Sequence, residues 1–195
     1  MNRTGSLLLC MGPMFSGKTT NLARELSRYA DIGLKVLCIG HNRDVRNEST
    51  FSTHSLGGVS LSPRIITVKT DALSTVNFNE FDVIGVDEGQ FFGLGEARFE
   101  NDLYKTVSLW LKENKIVVIS GLDGDSFRRP FGHLLDLIPL SDEVRMFTAH
   151  CLKCIESGQV TPARFTYRMT AEVGLVVIGG QDKFMPLCRR HYEQA

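Results

Sequence analysis

The sequence has no excess of charge of either sign: 22 lysines and arginines balance 22 aspartates and glutamates. Binding along a phosphate backbone needs a basic surplus, so the balance argues against nucleic acid as the main partner. It leaves room for a local group of cations that grips a few phosphates. Long hydrophobic runs are missing as well. The apolar stretch Leu7-Leu8-Leu9-Cys10-Met11 is far shorter than a membrane span, and no small-residue cleavage site follows it. The expectation is a soluble, cytoplasmic protein with no membrane partner. Internal repeats, low-complexity tracts and runs of one charge are also lacking. The five cysteines do not form an even set, which fits a metal site plus free thiols better than a disulfide framework.

What is there is an ordinary globular composition. Of 195 residues, 43% are hydrophobic and 23% charged, enough for one compact domain or one domain with a small appendage. Short apolar stretches recur at Ser6–Met11, Lys35–Ile39, Ile65–Val68, Phe81–Val86 and Ile116–Ser120. Between them, Lys18–Ala30 and Glu100–Leu111 place apolar residues at helical spacing. Continuous apolar strands alternating with helices predict an α/β fold with a buried parallel sheet, whose ligands bind at the carboxyl ends of the strands. Cys10 and Cys38 fall inside such strands and read as small buried residues. The polar stretch His41–Ser62 predicts a mobile loop. From Cys151 onward the spacing is irregular and the strands short, at Arg164–Arg168 and Val173–Ile178. This divides the chain into a core over residues 1–148 and a small lobe over 149–195.

Two patterns carry chemistry. Gly12-Pro13-Met14-Phe15-Ser16-Gly17-Lys18-Thr19 follows an apolar strand and opens a helix. Its glycines let backbone N–H groups face phosphate oxygens; Lys18 supplies charge for the β- and γ-phosphates, and Thr19 a hydroxyl for Mg²⁺. This is a P-loop for ATP. The strand 82–86 ends in Asp87-Glu88. A carboxylate there commonly organises Mg²⁺, a role given to Asp87. Glu88 then acts on the nucleophile, either as base for a substrate hydroxyl, in a kinase, or as an orienter of water, in an ATPase. The residues alone leave both open.

The second pattern pairs Cys151-Leu152-Lys153-Cys154 with Cys188-Arg189-Arg190-His191. Two such knuckles predict a tetrahedral Cys₃His zinc site, structural because it leaves no position for substrate. A redox-active Cys pair is the rival. His41, His54, His133 and His150 share no spacing and read as structural or surface residues. Arg46 reads as a solvated arginine, though its loop could bring a cation to a transferring phosphate.

These segments together resemble the type II thymidine kinases: GPMFSGKT at Gly12–Thr19, VDEGQFF at Val86–Phe92, LDGDSFRRPFG at Leu122–Gly132 and IGGQDK at Ile178–Lys183. The match is colinear over nearly the whole chain. The resemblance implies transfer of the ATP γ-phosphate to the 5′-hydroxyl of thymidine or deoxyuridine. It implies a RecA-like P-loop fold with a zinc-held lobe, a homotetramer, and feedback inhibition by dTTP. It makes Glu88 the catalytic base, Asp87 the metal residue and Arg46 a phosphate ligand, and places Gln90 in the acid motif near substrate. Met14 and Leu122 would pack around the base. A lasso between Cys154 and Cys188 would cover the nucleoside, lined by Thr161, Val177 and Phe184. Phe184 stands where many members have Tyr. Asp125-Ser126-Phe127 replaces the frequent Thr-Phe-Gln, which displaces the aromatic residue, here Phe127, that would pack against the base. Two readings compete with the kinase: a RecA-like ATPase or nucleic-acid motor with a zinc ribbon, and a zinc-ribbon module on an inactive P-loop scaffold.

Overall fold

A computed structural model describes residues 4–44, 61–94, 101–172, 174, 177 and 179–195. Strand β1 (Ser6–Met11) leads through the glycine-rich loop into helix α1 (Lys18–Asp31), then β2 (Val36–His41) and β3 (Ile65–Thr70). Strand β4 (Val83–Val86), helix α2 (Asp102–Lys112), β5 (Ile116–Gly121) and β6 (Glu143–Met146) complete one sheet. Its order is β3-β2-β4-β5-β1-β6, and every pairing is parallel. The predicted α/β class therefore holds.

The strands form because both faces of the sheet are covered. Leu7, Leu9 and Met11 of β1 point to one face, with Leu37, Ile39, Ile84, Val86, Val117 and Ile119. They pack under Leu103, Val107 and Trp110 of α2. On the other face Leu22, Leu26 and Ala30 of α1 cover Val36, Cys38, Val83 and Val118. Successive strand residues serve opposite layers, which is why the strands read as continuous apolar runs. Cys10 and Cys38 lie in this interior, as expected. Burial pushes the Cys10 thiol up to about 11 and raises that of Cys38 as well.

The edge strand β6 was not predicted. Its residues Glu143-Val144-Arg145-Met146 are mostly exposed, and polar contacts attach it to the sheet. Arg145 reaches the buried Glu25 of α1 at 2.6 Å, and Asp142 accepts the Leu7 N–H at 2.8 Å.

Beyond residue 148 the elements are short: β7 (Ala149–His150), α3 (Leu152–Glu156), β8 (Pro162–Ala163), β9 (Phe165–Arg168), β10 (Phe184–Leu187) and α4 (Arg189–Glu193). Antiparallel pairs β7–β8 and β9–β10 hold them. Most of the predicted strand Val173–Ile178, and positions 45–60 of the predicted loop, lie outside the described residues.

Candidate active site and metal centre

The loop between β1 and α1 is shaped as its sequence requires. Gly17 has φ +83° and caps α1, a conformation that L side chains rarely adopt. The Lys18 amine bends back to the Pro13 carbonyl at 2.6 Å, and Ser16 donates to the same oxygen at 2.8 Å. The cation thus stands within the loop, at the amino end of a 14-residue helix, where an anion is favoured.

Strand β5 separates β1 from β4, and Asp87 reaches back across it. Asp87 is buried, and its Oδ1 accepts the Thr19 hydroxyl at 3.2 Å and the Glu88 N–H at 3.0 Å. The Ser120 hydroxyl of β5 donates to the same oxygen. Sequence reasoning missed Ser120; a polar residue ending an otherwise apolar strand was its signal. Thr19 and Asp87 form an oxygen-only donor pair, the kind that suits Mg²⁺.

Glu88 has φ +53° and ψ +45°, a left-handed conformation that costs a residue with a Cβ about 1 kcal/mol or more. It begins the 3₁₀ turn Gly89–Phe91, and its Oε2 accepts from the Gln90 amide at 2.5 Å. Gln90 is fully buried, and its own Oε1 accepts the Leu122 N–H at 2.9 Å.

Glu88 opens onto a cleft. Its other walls include Met14 of the glycine-rich loop, Leu122, Ser126, Thr166 and Phe184. The cleft thus joins the loop, the acid motif and the C-terminal strands. One hydrogen bond fixes that junction: the buried Thr166 of β9 accepts the Met14 N–H at 3.0 Å.

The four predicted zinc ligands converge. All ligand atoms of Cys151, Cys154, Cys188 and His191 lie within 4.8 Å of one another, and the three cysteines are buried. The His191 Nδ1 is 3.4 Å from the Cys151 sulfur, 3.4 Å from that of Cys154 and 3.6 Å from that of Cys188. The Cys154 and Cys188 sulfurs are 3.9 Å apart. With Zn–S near 2.3 Å and Zn–N near 2.0 Å, the corners of a tetrahedron stand about 3.5–3.8 Å apart, so the donor set fits zinc. Burial pushes the Cys151 thiol up. The backbone of Cys188, the His191 ring and the backbone of Cys154 outweigh it and bring the thiol down to about 6, toward the thiolate that a metal needs.

A family model described as thymidine kinase matches residues 5–192. The chain belongs to the thymidine kinase family. Among curated relatives, the thymidine kinase of Monkeypox virus is 36% identical over 188 residues, which covers 96% of this chain and 97% of the relative. That of Variola virus is 37% identical over the same span. Thymidine kinase a of Arabidopsis thaliana is 35% identical over 192 residues, 97% of this chain and 75% of the relative.

The residues carried over from the thymidine kinase family divide in space. Met14, Leu122, Val177 and Phe184 line the cleft together. Thr161 does not. Its carbonyl accepts the Cys151 N–H at 2.9 Å, and its hydroxyl meets the Cys154 sulfur, so it belongs to the knuckle. The turn after α3 keeps the chain beside β7 through β8, and the chain reaches the cleft only at β9, where Thr166 takes the place expected of Thr161. Phe127 is also absent from the lining. Its ring is 54% exposed and stacks on the guanidinium groups of Arg129 and Arg168, while its neighbour Ser126 faces the cleft. Asp125 sets that loop by accepting the N–H groups of Phe127 at 2.8 Å and Arg129 at 2.9 Å. The predicted strand Arg164–Arg168 contained Thr166, but alternation alone does not say which face meets the P-loop. Arg46 lies outside the described residues.

Proposed function

We propose that this protein transfers the γ-phosphate of ATP to the 5′-hydroxyl of thymidine, and of deoxyuridine, through a P-loop and a glutamate base. The observation that carries this reading is the shared cleft: Met14 of the glycine-rich loop and Glu88 of the acid motif line it together. Membership of the thymidine kinase family supports the nucleoside and the phosphate donor.

In this reading Gly12–Thr19 wraps the phosphates, with Lys18 beside the transferring group. Thr19 and Asp87 would hold Mg²⁺, which offsets charge on the phosphates. Glu88 takes the proton of the 5′-hydroxyl as its oxygen attacks phosphorus. The bond from phosphorus to the β,γ-bridging oxygen breaks, and ADP leaves. Arg46 is assigned to the phosphates by resemblance. Met14, Leu122, Val177 and Phe184 pack around the nucleoside, with Ser126 and Thr166 beside them. The lobe over residues 149–195 is held by a structural zinc ion, carries the lasso over the nucleoside and closes onto the core over residues 1–148. The assembly is a homotetramer, and dTTP inhibits it.

A panel of nucleosides with ATP and Mg²⁺, read by ADP release, tests the substrate. Thymidine should be among the best substrates, and deoxycytidine should be poor because its hydrogen-bonding edge is exchanged. Equal turnover of the two would overturn the assignment. Glu88→Gln should lower kcat by about 10²–10⁴ with little change in nucleotide affinity. Retention of most activity would remove Glu88 as the base.

A further inference from the structure

Gln90 is fully buried at the 3₁₀ turn that follows Glu88, and a buried primary amide must place its acceptor and its donors correctly. The Leu122 N–H can only donate, so Oε1 faces it, at 2.9 Å. The amide nitrogen then faces the Glu88 carboxylate, at 2.5 Å. Flipping the amide would set N–H against N–H and oxygen against oxygen, so the arrangement has one orientation. Space enforces it as well. A Cβ on Gly121 would stand 2.6 Å from Oε1, so the glycine at the end of β5 makes room for this side chain.

We propose that Gln90 is a positioning residue for Glu88, locking the carboxylate to the cleft wall at Leu122 through one buried amide. The proposal rests on the reading of Glu88 as the base. Glu88 and Leu122 both line the cleft, so the amide sets the distance between the proton acceptor and the surface that holds the nucleoside. Other charged groups on the cleft are Arg43, Asp44, Asp125 and Arg168, with Asp87 adjacent in the chain. Gln90 thus acts through Glu88 and the wall, rather than as a ligand of ATP.

The test compares Gln90→Leu, Gln90→Glu, Glu88→Gln and the double variant Glu88→Gln/Gln90→Leu. It reads kcat and KM for thymidine and ATP. Gln90→Leu removes both hydrogen bonds and should lower kcat by about 10- to 100-fold, the scale of a misplaced reacting group, with KM for ATP nearly unchanged. Gln90→Glu keeps the shape of the buried side chain, so the test survives if Gln90→Leu does not fold. It replaces the donor that faces Glu88 with an acceptor, so kcat should fall while KM for ATP stays nearly unchanged. In the double variant, loss of Gln90 should cost little beyond loss of Glu88 alone. A purely structural role would raise KM for ATP along with the fall in kcat and make the two losses multiply; either outcome overturns the proposal. If Glu88→Gln is inactive while both Gln90 variants keep wild-type kcat, the base stands and the role of Gln90 falls. If Glu88→Gln itself keeps wild-type turnover, the base assignment fails first and takes the proposal with it.

Discussion

Between sheet and helices in the first part of the chain, Trp110, Phe92 and Leu103 are wholly removed from solvent, among more than a dozen buried apolar residues. The apolar cluster after residue 148 has six buried members, Ala149, Cys151, Cys154, Ala163, Leu187 and Cys188, and half of them are cysteines. The first region can pay for its chain entropy with buried hydrocarbon. The second is too small for that, and half of its interior is cysteines that could hold a metal. In the reading proposed above, one chain uses two ways of staying folded, and the cleft lies where they meet.

The largest effect should come from removing the metal. Purified protein should carry about one zinc per chain. A chelator should strip β7 to β10 of hydrogen-exchange protection while the parallel sheet keeps its own, since zinc contributes about 10–16 kcal/mol in comparably small folds. Cys154→Ser should act in the same direction. Undiminished protection in the C-terminal strands after chelation would erase the contrast between the regions.

Lys18→Ala probes chemistry without touching either source of stability. Turnover should fall by about 10³ or more, the scale of losing a cation from a transferring phosphoryl group, with an unchanged melting temperature. A variant with near-normal turnover would mean that Gly12–Thr19 is not the ATP site.

Leu26→Ala sharpens the comparison from the other side. Leu26 is fully buried between α1 and the sheet, so its truncation should cost about 2–5 kcal/mol in denaturant unfolding. Zinc content should stay at one per chain. Loss of zinc in this variant would show that the regions do not fold separately.

The smallest effect concerns His41, which the sequence left as a structural or surface residue. It is buried against Phe91 and Phe92 with ring centroids 5.7 and 4.8 Å away, and its Nδ1 accepts the Arg43 N–H at 3.0 Å. Burial holds the imidazole below its ordinary value of 6.5. The unfolded chain then binds the proton more readily. The neutral ring's contribution is complete above about pH 6.5 and is lost as pH falls toward the folded value. His41→Asn should flatten this acid-side loss in thermal melts at a series of pH values. An unchanged profile would assign the acid sensitivity to other groups.

Much of the core was legible because its signals are local. The bounds expected for β1, Ser6–Met11, are those observed, and the P-loop and the acid pair are unbroken strings. The edge strand β6 was not legible, since Glu143 and Arg145 leave no apolar run. Strand β10 was missed for a related reason: Pro186 interrupts Phe184–Leu187, and among the described residues its only sheet partner is β9. The far wall of the cleft depends on contacts that no local pattern announces. Met14 and Thr166 lie 152 positions apart, and nothing in either neighbourhood says that they meet. Thr161, expected in the lining, stands at the Cys151 knuckle instead. The zinc ligands are also far apart, but the chemistry of four soft and imidazole donors announces itself at any distance.

The placing of β5 between β1 and β4 works as a ruler. Neighbouring strands stand ~4.8 Å apart, so the strand that launches the phosphate loop and the strand that ends in the acids are separated by ~9.6 Å. With a whole strand between them, the Asp87 side chain spans the interval and ties the two ends together through the Thr19 hydroxyl at 3.2 Å.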